Sequence, residues 1–173
     1  NILLKMVYYM LFIITKPLGG FADYNSTLAP YAIIANTWTD VTNNGAGAFS
    51  NKDFLPSGVT ELMDVLTGYF DFTELTLGDT ALVRNDFQVT PNTNNALLEL
   101  RYELGLGGGT YILEKRLDRL DSGSGTPYRF TLVPDLIYMG DDNTRLNPIK
   151  LQIRLSTGGT FQNFGSVIDV KKR

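Results

Sequence analysis

From about Ala81 onward the chain alternates apolar and polar residues in one short run after another. Leu98, Leu100, Tyr102 and Leu104 fall on one side of such a run, and Glu99, Arg101 and Glu103 on the other. A period of two marks a half-buried β-strand, because successive side chains of an extended backbone point to opposite faces. Ala81, Val83, Phe87 and Val89 repeat the pattern against Arg84, Asp86 and Gln88. Tyr111, Leu113 and Leu117 do so against Glu114, Arg116 and Asp118. Further runs are Tyr128–Leu132, Lys150–Leu155 and Phe161–Lys171. The connectors hold residues that favour turns: Pro91-Asn92-Thr93-Asn94-Asn95, Gly107-Gly108-Gly109, Ser122-Gly123-Ser124-Gly125, Gly140-Asp141-Asp142-Asn143 and Thr157-Gly158-Gly159. Evenly spaced strands of this kind predict an all-β fold, an antiparallel β-sandwich. With roughly eight or more strands, that sandwich is a jelly roll.

Residues 18–68 are less regular. Ala32-Ile33-Ile34 and Thr37–Val41 read as short strands, and Asn43-Asn44-Gly45-Ala46-Gly47 as a turn. Thr60-Glu61-Leu62-Met63-Asp64 is the one plausible helical turn. Before this region lies an apolar run, Ile2–Ile14, whose uninterrupted part is too short to span a bilayer as a helix. Lys16-Pro17-Leu18-Gly19-Gly20 makes a poor leader cleavage site. The β-branched and aromatic content favours a buried strand or docking arm over a leader-like or membrane-associated segment. Its anchoring side chains are Val7, Tyr8, Tyr9, Leu11, Phe12, Ile13 and Ile14. The expected organisation is an apolar arm over residues 1–20 and a jelly-roll domain over 21–173. The arm is expected to add as a strand to a partner or a neighbouring protomer, since its side chains would leave an exposed patch on an isolated domain.

The composition narrows the chemistry. A length of 173 residues fits one domain. With no His, the common serine triads are excluded, and with no Cys there are neither disulfides nor thiolate ligands. A net charge of −3 argues against a nucleic-acid footprint, and the basic end Lys171-Lys172-Arg173 reads as solubilising. Gly105-Leu106-Gly107-Gly108-Gly109 lies between two strands with no helix after it, so it reads as a hairpin loop and not a phosphate cradle. Asp141-Asp142-Asn143 lacks the spacing of a calcium loop and reads as a polar turn. Glu99 with Glu103, or Glu114 with Asp118, could supply the two carboxylates of a polysaccharide-degrading enzyme. Arg101 and Arg116 stand between them, which favours a charge-balanced surface. Trp38 is the candidate glycan contact, although aromatic side chains more often fill cores and interfaces. No catalytic residue, metal site or cofactor is expected.

Three stretches carry a likeness. They are Phe21-Ala22-Asp23-Tyr24-Asn25, then Asn36-Thr37-Trp38-Thr39-Asp40-Val41 with Asn44-Gly45-Ala46-Gly47-Ala48-Phe49, and Gly68-Tyr69-Phe70-Asp71-Phe72-Thr73-Glu74-Leu75 leading to Gly78-Asp79-Thr80. Together with the ending Gly165-Ser166-Val167-Ile168-Asp169-Val170, the chain resembles short virion proteins of tailed bacteriophages, notably of marine bacteria. More loosely, its strand order is similar to trimeric jelly rolls of the tumour-necrosis-factor and C1q type. The resemblance implies a non-enzymatic virion protein, a capsid decoration or head-fibre homotrimer held against a major capsid protein or another virion protein. The Ile2–Ile14 run departs from that group. The rival readings are a receptor- or glycan-binding fibre domain and a polysaccharide-degrading enzyme.

Overall fold

Each long alternating run forms a strand, because only an extended backbone sends its apolar side chains to one side. The structure, a computed structural model, describes residues 18–173. The anchoring side chains Val7, Tyr8, Tyr9, Leu11, Phe12, Ile13 and Ile14 lie outside the described residues. The strands are β1 Gly19–Asn25, β2 Tyr31–Ile33, β3 Thr39–Asp40, β4 Asn51–Phe54, β5 Met63–Asp64, β6 Tyr69–Phe70 and β7 Thr80–Pro91. They continue with β8 Ala96–Leu104, β9 Tyr111–Leu120, β10 Tyr128–Thr131 and β11 Asp135–Tyr138. A short helix, α1 Asp142–Leu146, precedes β12 Lys150–Leu155 and β13 Gly159–Lys171.

The first sheet runs β10-β7-β13-β1-β4, with β11 also on β7 and β2 also on β13. The second runs β3-β12-β8-β9. The strands of both sheets pair antiparallel throughout the described residues. From β7 the chain crosses to β8 and β9, returns to β10 and β11, crosses again to β12, and returns to β13 beside β1. Strands distant in sequence are thereby neighbours in both sheets, which is the winding of a jelly roll.

Between the sheets lie Val83, Phe87, Val89, Phe161 and Ile168 from the first and Leu98, Leu100, Ile153 and Leu155 from the second, all essentially without solvent contact. Phe87 packs with ring centroids 5.3 Å from Phe130 and 5.2 Å from Phe161. A chain of hydrogen bonds crosses this core. Ser166 Oγ donates to Asn85 Oδ1 at 2.7 Å, and Asn85 Nδ2 donates to the Tyr102 hydroxyl at 2.7 Å. The Tyr102 hydroxyl donates to Asp135 Oδ2 at 2.9 Å, and Lys115 Nζ reaches both Asp135 oxygens at 2.7 and 2.6 Å. Burial of Tyr102, reinforced by the Asp135 charge, pushes its hydroxyl well above the ordinary range, so it stays a donor.

Three local expectations are corrected. The helical turn expected at Thr60–Asp64 is absent: the segment bends at Leu62 and ends in β5. Leu62 and Met63 are fully buried there, and the Glu74 carboxylate accepts from the Thr60 and Glu61 backbone N–H groups. The short helix forms at α1, where Asp141 accepts from the Thr144 N–H at 2.7 Å and so caps it, making the expected polar turn a helix start. Glu114 and Asp118 do not continue one face. The β8–β9 register shifts between Leu98 and Glu99, so Glu99 opposes Arg116 while Asp118 opposes Leu98.

The basic end is also held in place. The Lys172 N–H donates to the Leu18 carbonyl at 2.6 Å, and the Arg173 N–H donates to Asp79 Oδ1 at 2.9 Å. Asp79 is fully buried and also accepts from the Thr76 N–H and hydroxyl at 2.8 and 3.0 Å. Burial works to raise its pKa, but these hydrogen bonds outweigh it and leave the carboxyl below its usual 3.8. A depressed native value stabilises the fold above the unfolded pKa, and that stabilisation is lost as pH falls through the native value. Asp79→Asn should therefore be less stable than wild type at pH 6, with the gap closing as the pH drops below about 4. Denaturant midpoints taken across pH 2–7 check this. A gap that stays constant over that range would refute the role given to the carboxylate.

Candidate interaction surface

The outward side of the first sheet is built by cross-strand register. Phe54 opposes Phe21, Phe21 opposes Asp169, Asp169 opposes Leu82, and Leu82 opposes Leu136. These residues alternate with buried Ala22, Val83, Ile168 and Ile137, so the row faces away from the core. Phe54, Phe21, Leu82 and Leu136 are 57%, 42%, 39% and 55% exposed, a row of large apolar side chains left in water. The Phe21 and Phe54 rings stack at 5.2 Å.

Beside this row lies a compressed charge cluster. Val167 opposes Arg84 on one side and Asp23 on the other. Arg84 Nη2 bonds Asp86 Oδ2 at 2.9 Å. Arg84 Nε and Asp86 Oδ1 are nevertheless buried without a hydrogen-bond partner among the described residues. Burial lifts the Asp23 carboxyl above its ordinary value against the pull of Arg84, with Asp86 adding to the lift. Sequence reading missed this surface. The available signal was the triple Ala81-Leu82-Val83, where an apolar residue takes a position that alternation reserves for a polar one.

The outward side of the second sheet is polar and internally paired. Glu99, only 4% exposed, accepts from Arg154 Nε at 2.7 Å and lies 3.4 Å from Arg116 Nε. Arg101 bonds Glu103 at 2.6 Å and Gln152 at 2.7 Å. Asp40 accepts from Gln152 at 2.5 Å and from the Tyr69 hydroxyl at 2.8 Å, with Lys150 at 3.2 Å. Burial alone would raise the Asp40 pKa, but these three donors hold it below the usual value. Trp38 lies half-buried in this network with the Arg101 and Arg154 guanidinium carbons each 4.5 Å from its ring centroid. The ring is engaged by cations. Glu99, Glu103 and Asp40 each lie in an ion pair with a neighbouring cation, so none of them stands free in a groove.

The glycine-rich loop after β8 has a structural explanation. Asn143 of α1 bonds both the N–H and the carbonyl of Gly109, at 3.2 and 2.5 Å. A Cβ on Gly108 would stand 1.9 Å from Asn143 Oδ1. Among the described residues no group of three or more His, Cys, Asp or Glu could hold a metal ion.

At one side of the sandwich the sheets stop short of each other. β9 pairs only with β8, and β11 only with β7. The gap between β9 and β11 forms a cavity of about 540 Å³ lined by Leu104, Tyr111, Leu113, Leu136, Ile137 and Tyr138, among others. A second, of about 350 Å³, continues along Leu113, Lys115, Asp135 and Leu136.

No family model and no curated protein matches the chain. Among solved structures it is similar to that of infectious bursal disease virus, Gt strain, at 13% identity and a TM-score of 0.47. That match covers 90% of this chain and 32% of the viral one, so the chain spans about a third of its length. It is similar to the Eiger TNF of S. frugiperda at 11% identity and a TM-score of 0.40, covering 91% and 94%. For the PRD1 vertex protein P5 the values are 14% and 0.34, covering 90% and 96%. Scores this low carry no argument about function, and the jelly-roll winding rests on the strand pairing itself.

Proposed function

We propose that this chain is a non-enzymatic structural protein of a virion, a capsid decoration or head-fibre protein of a tailed-phage particle that assembles as a homotrimer. The observation that carries the reading is the outward row Phe54–Phe21–Asp169–Leu82–Leu136, apolar except for Asp169, beside half-buried Arg84 and Asp86. An outward row of large apolar side chains suits burial against a second copy, and the partly exposed Arg84–Asp86 pair lends it a polar flank. Jelly rolls recur in capsid proteins, and that supports the setting by analogy of fold. The ionic pairing of Glu99, Glu103 and Asp40 disfavours the enzymatic rival, and the guanidinium contacts of Trp38 disfavour sugar stacking there.

Sedimentation of the full chain at micromolar concentration should give the trimer mass. Leu82→Glu, whose side chain faces outward, should weaken assembly by at least about 30-fold while leaving the melting temperature of the dissociated protein nearly unchanged. Monomer mass for the wild type under these conditions would overturn the reading. Antibody labelling of intact particles then tells a head location from a tail location.

A further inference from the structure

We propose that the open side of the sandwich, between β9 and β11, binds a neutral oligosaccharide, with Tyr111 and Tyr138 as its aromatic walls. The cavity of about 540 Å³ falls within the size range of small-ligand sites. Its lining combines aromatic and aliphatic side chains with a few polar ones, as such sites do. Tyr111 and Tyr138 come from the two flanking strands and are 63% and 64% exposed. Neither hydroxyl bonds to another described residue. A tyrosine ring offers an apolar face and a polar tip. A pyranose matches both: its C–H face lies on a ring, and its rim of hydroxyls meets donors and acceptors.

The walls are held before any ligand arrives. The Tyr138 ring lies against Gly140, where a Cβ would stand 2.4 Å from Cε2, so main chain backs the ring. Asn143 pins the Gly109 loop through its N–H and carbonyl, and Asp141 is tied to the Thr144 N–H. Walls fixed in advance spare the ordering cost of binding. Charge then selects the class of ligand. Asp141 is the one charged side chain among the described residues lining this cavity, so an anion would meet repulsion. The groove continues along Leu113 and Leu136 to the Lys115–Asp135 ion pair, where a cation would meet Lys115. A neutral ligand rich in hydroxyls can donate to Asp141 and Asp135 and accept from Lys115 and the tyrosines. The continuation, about 350 Å³, gives an oligosaccharide room beyond its first ring. Every group in the site comes from one chain, so binding does not require the trimer.

The full chain, applied to an array of neutral, sialylated and sulfated oligosaccharides, should retain neutral members selectively. Titration with the best-retained neutral oligosaccharide should show affinity lower by about 10-fold or more for Tyr111→Ala and for Tyr138→Ala. Gly140→Ala keeps both tyrosines but drives a methyl into the Tyr138 ring, and should lower affinity by about 3-fold or more. Trp38→Ala, in the network on the second sheet, should leave it unchanged. Both tyrosines are exposed, so their alanine variants should keep the wild-type melting temperature and sedimentation mass. Retention of no neutral oligosaccharide, a preference for charged ones, or affinity that survives both tyrosine substitutions would each overturn the proposal. So would a change of sedimentation mass in Tyr111→Ala, which would make the groove a contact between copies. The virion reading fails separately, on a monomer mass for the wild type.

Discussion

Phe87→Ala should lower stability by about 3–5 kcal/mol, roughly a fifth or more of the margin of a typical domain. The ring is 1% exposed and held between Phe130 and Phe161 at 5.3 and 5.2 Å. Its removal loses the transfer free energy of the side chain and the contacts of two aromatic neighbours, and strands on both sides limit collapse of the hole. Phe87→Leu, which keeps most of the volume, should cost under about 1.5 kcal/mol. Urea titration of the three proteins checks the order. The melting point of the alanine variant should fall by about 6–20 °C. A loss below about 1.5 kcal/mol would mean that the site collapses freely and that the two sheets are not rigidly apposed there.

Gly165→Ala should cost about 2–5 kcal/mol, from backbone strain and from collision together. Gly165 follows the register shift between β13 and β7, with φ at +143°. Its N–H donates to Asn163 Oδ1 at 3.0 Å, while Asn163 Nδ2 ties the bulge to the Thr42 carbonyl at 2.9 Å. A Cβ there would sit 2.4 Å from the Tyr24 carbonyl oxygen on β1. Gly107 provides the comparison. It has φ at +86°, yet a Cβ would meet nothing within 4 Å, so Gly107→Ala should cost only about 1 kcal/mol. Equal losses for the two variants would show that the close approach of β1 to the bulge is immaterial.

The strands legible in the sequence are those with one wet face and one dry face over many residues. β7, β8, β12 and β13 satisfy that condition, and alternation finds them; β9 alternates as well, although only Leu120 of its side chains is buried. β11 carries Leu136, Ile137 and Tyr138 in succession because its outer face is also apolar, so the period disappears. β5 and β6 are two residues each and owe their shape to distant partners, such as the reciprocal bonds between Phe70 and Ile149 at 2.9 Å. The candidate surface was illegible for a related reason. Its row draws one side chain each from β4, β1, β13, β7 and β11, and only the register brings them into line. The β9 register shift that separates Glu114 from Asp118 has no local sequence mark.

The placement of β13 bears on how the chain comes off the ribosome. β13 fills the slot between β7 and β1, yet it is synthesised after every other described strand. Until Gly159–Lys171 emerge, β1 and β7 have no common neighbour and the first sheet exists only as two unclosed edges. Pairings between such distant segments form slowly, and exposed edges of this kind recruit other chains. Until β13 has emerged, a growing polypeptide of this type presents those edges to its siblings on the same polysome. The first sheet closes only when β13 is free.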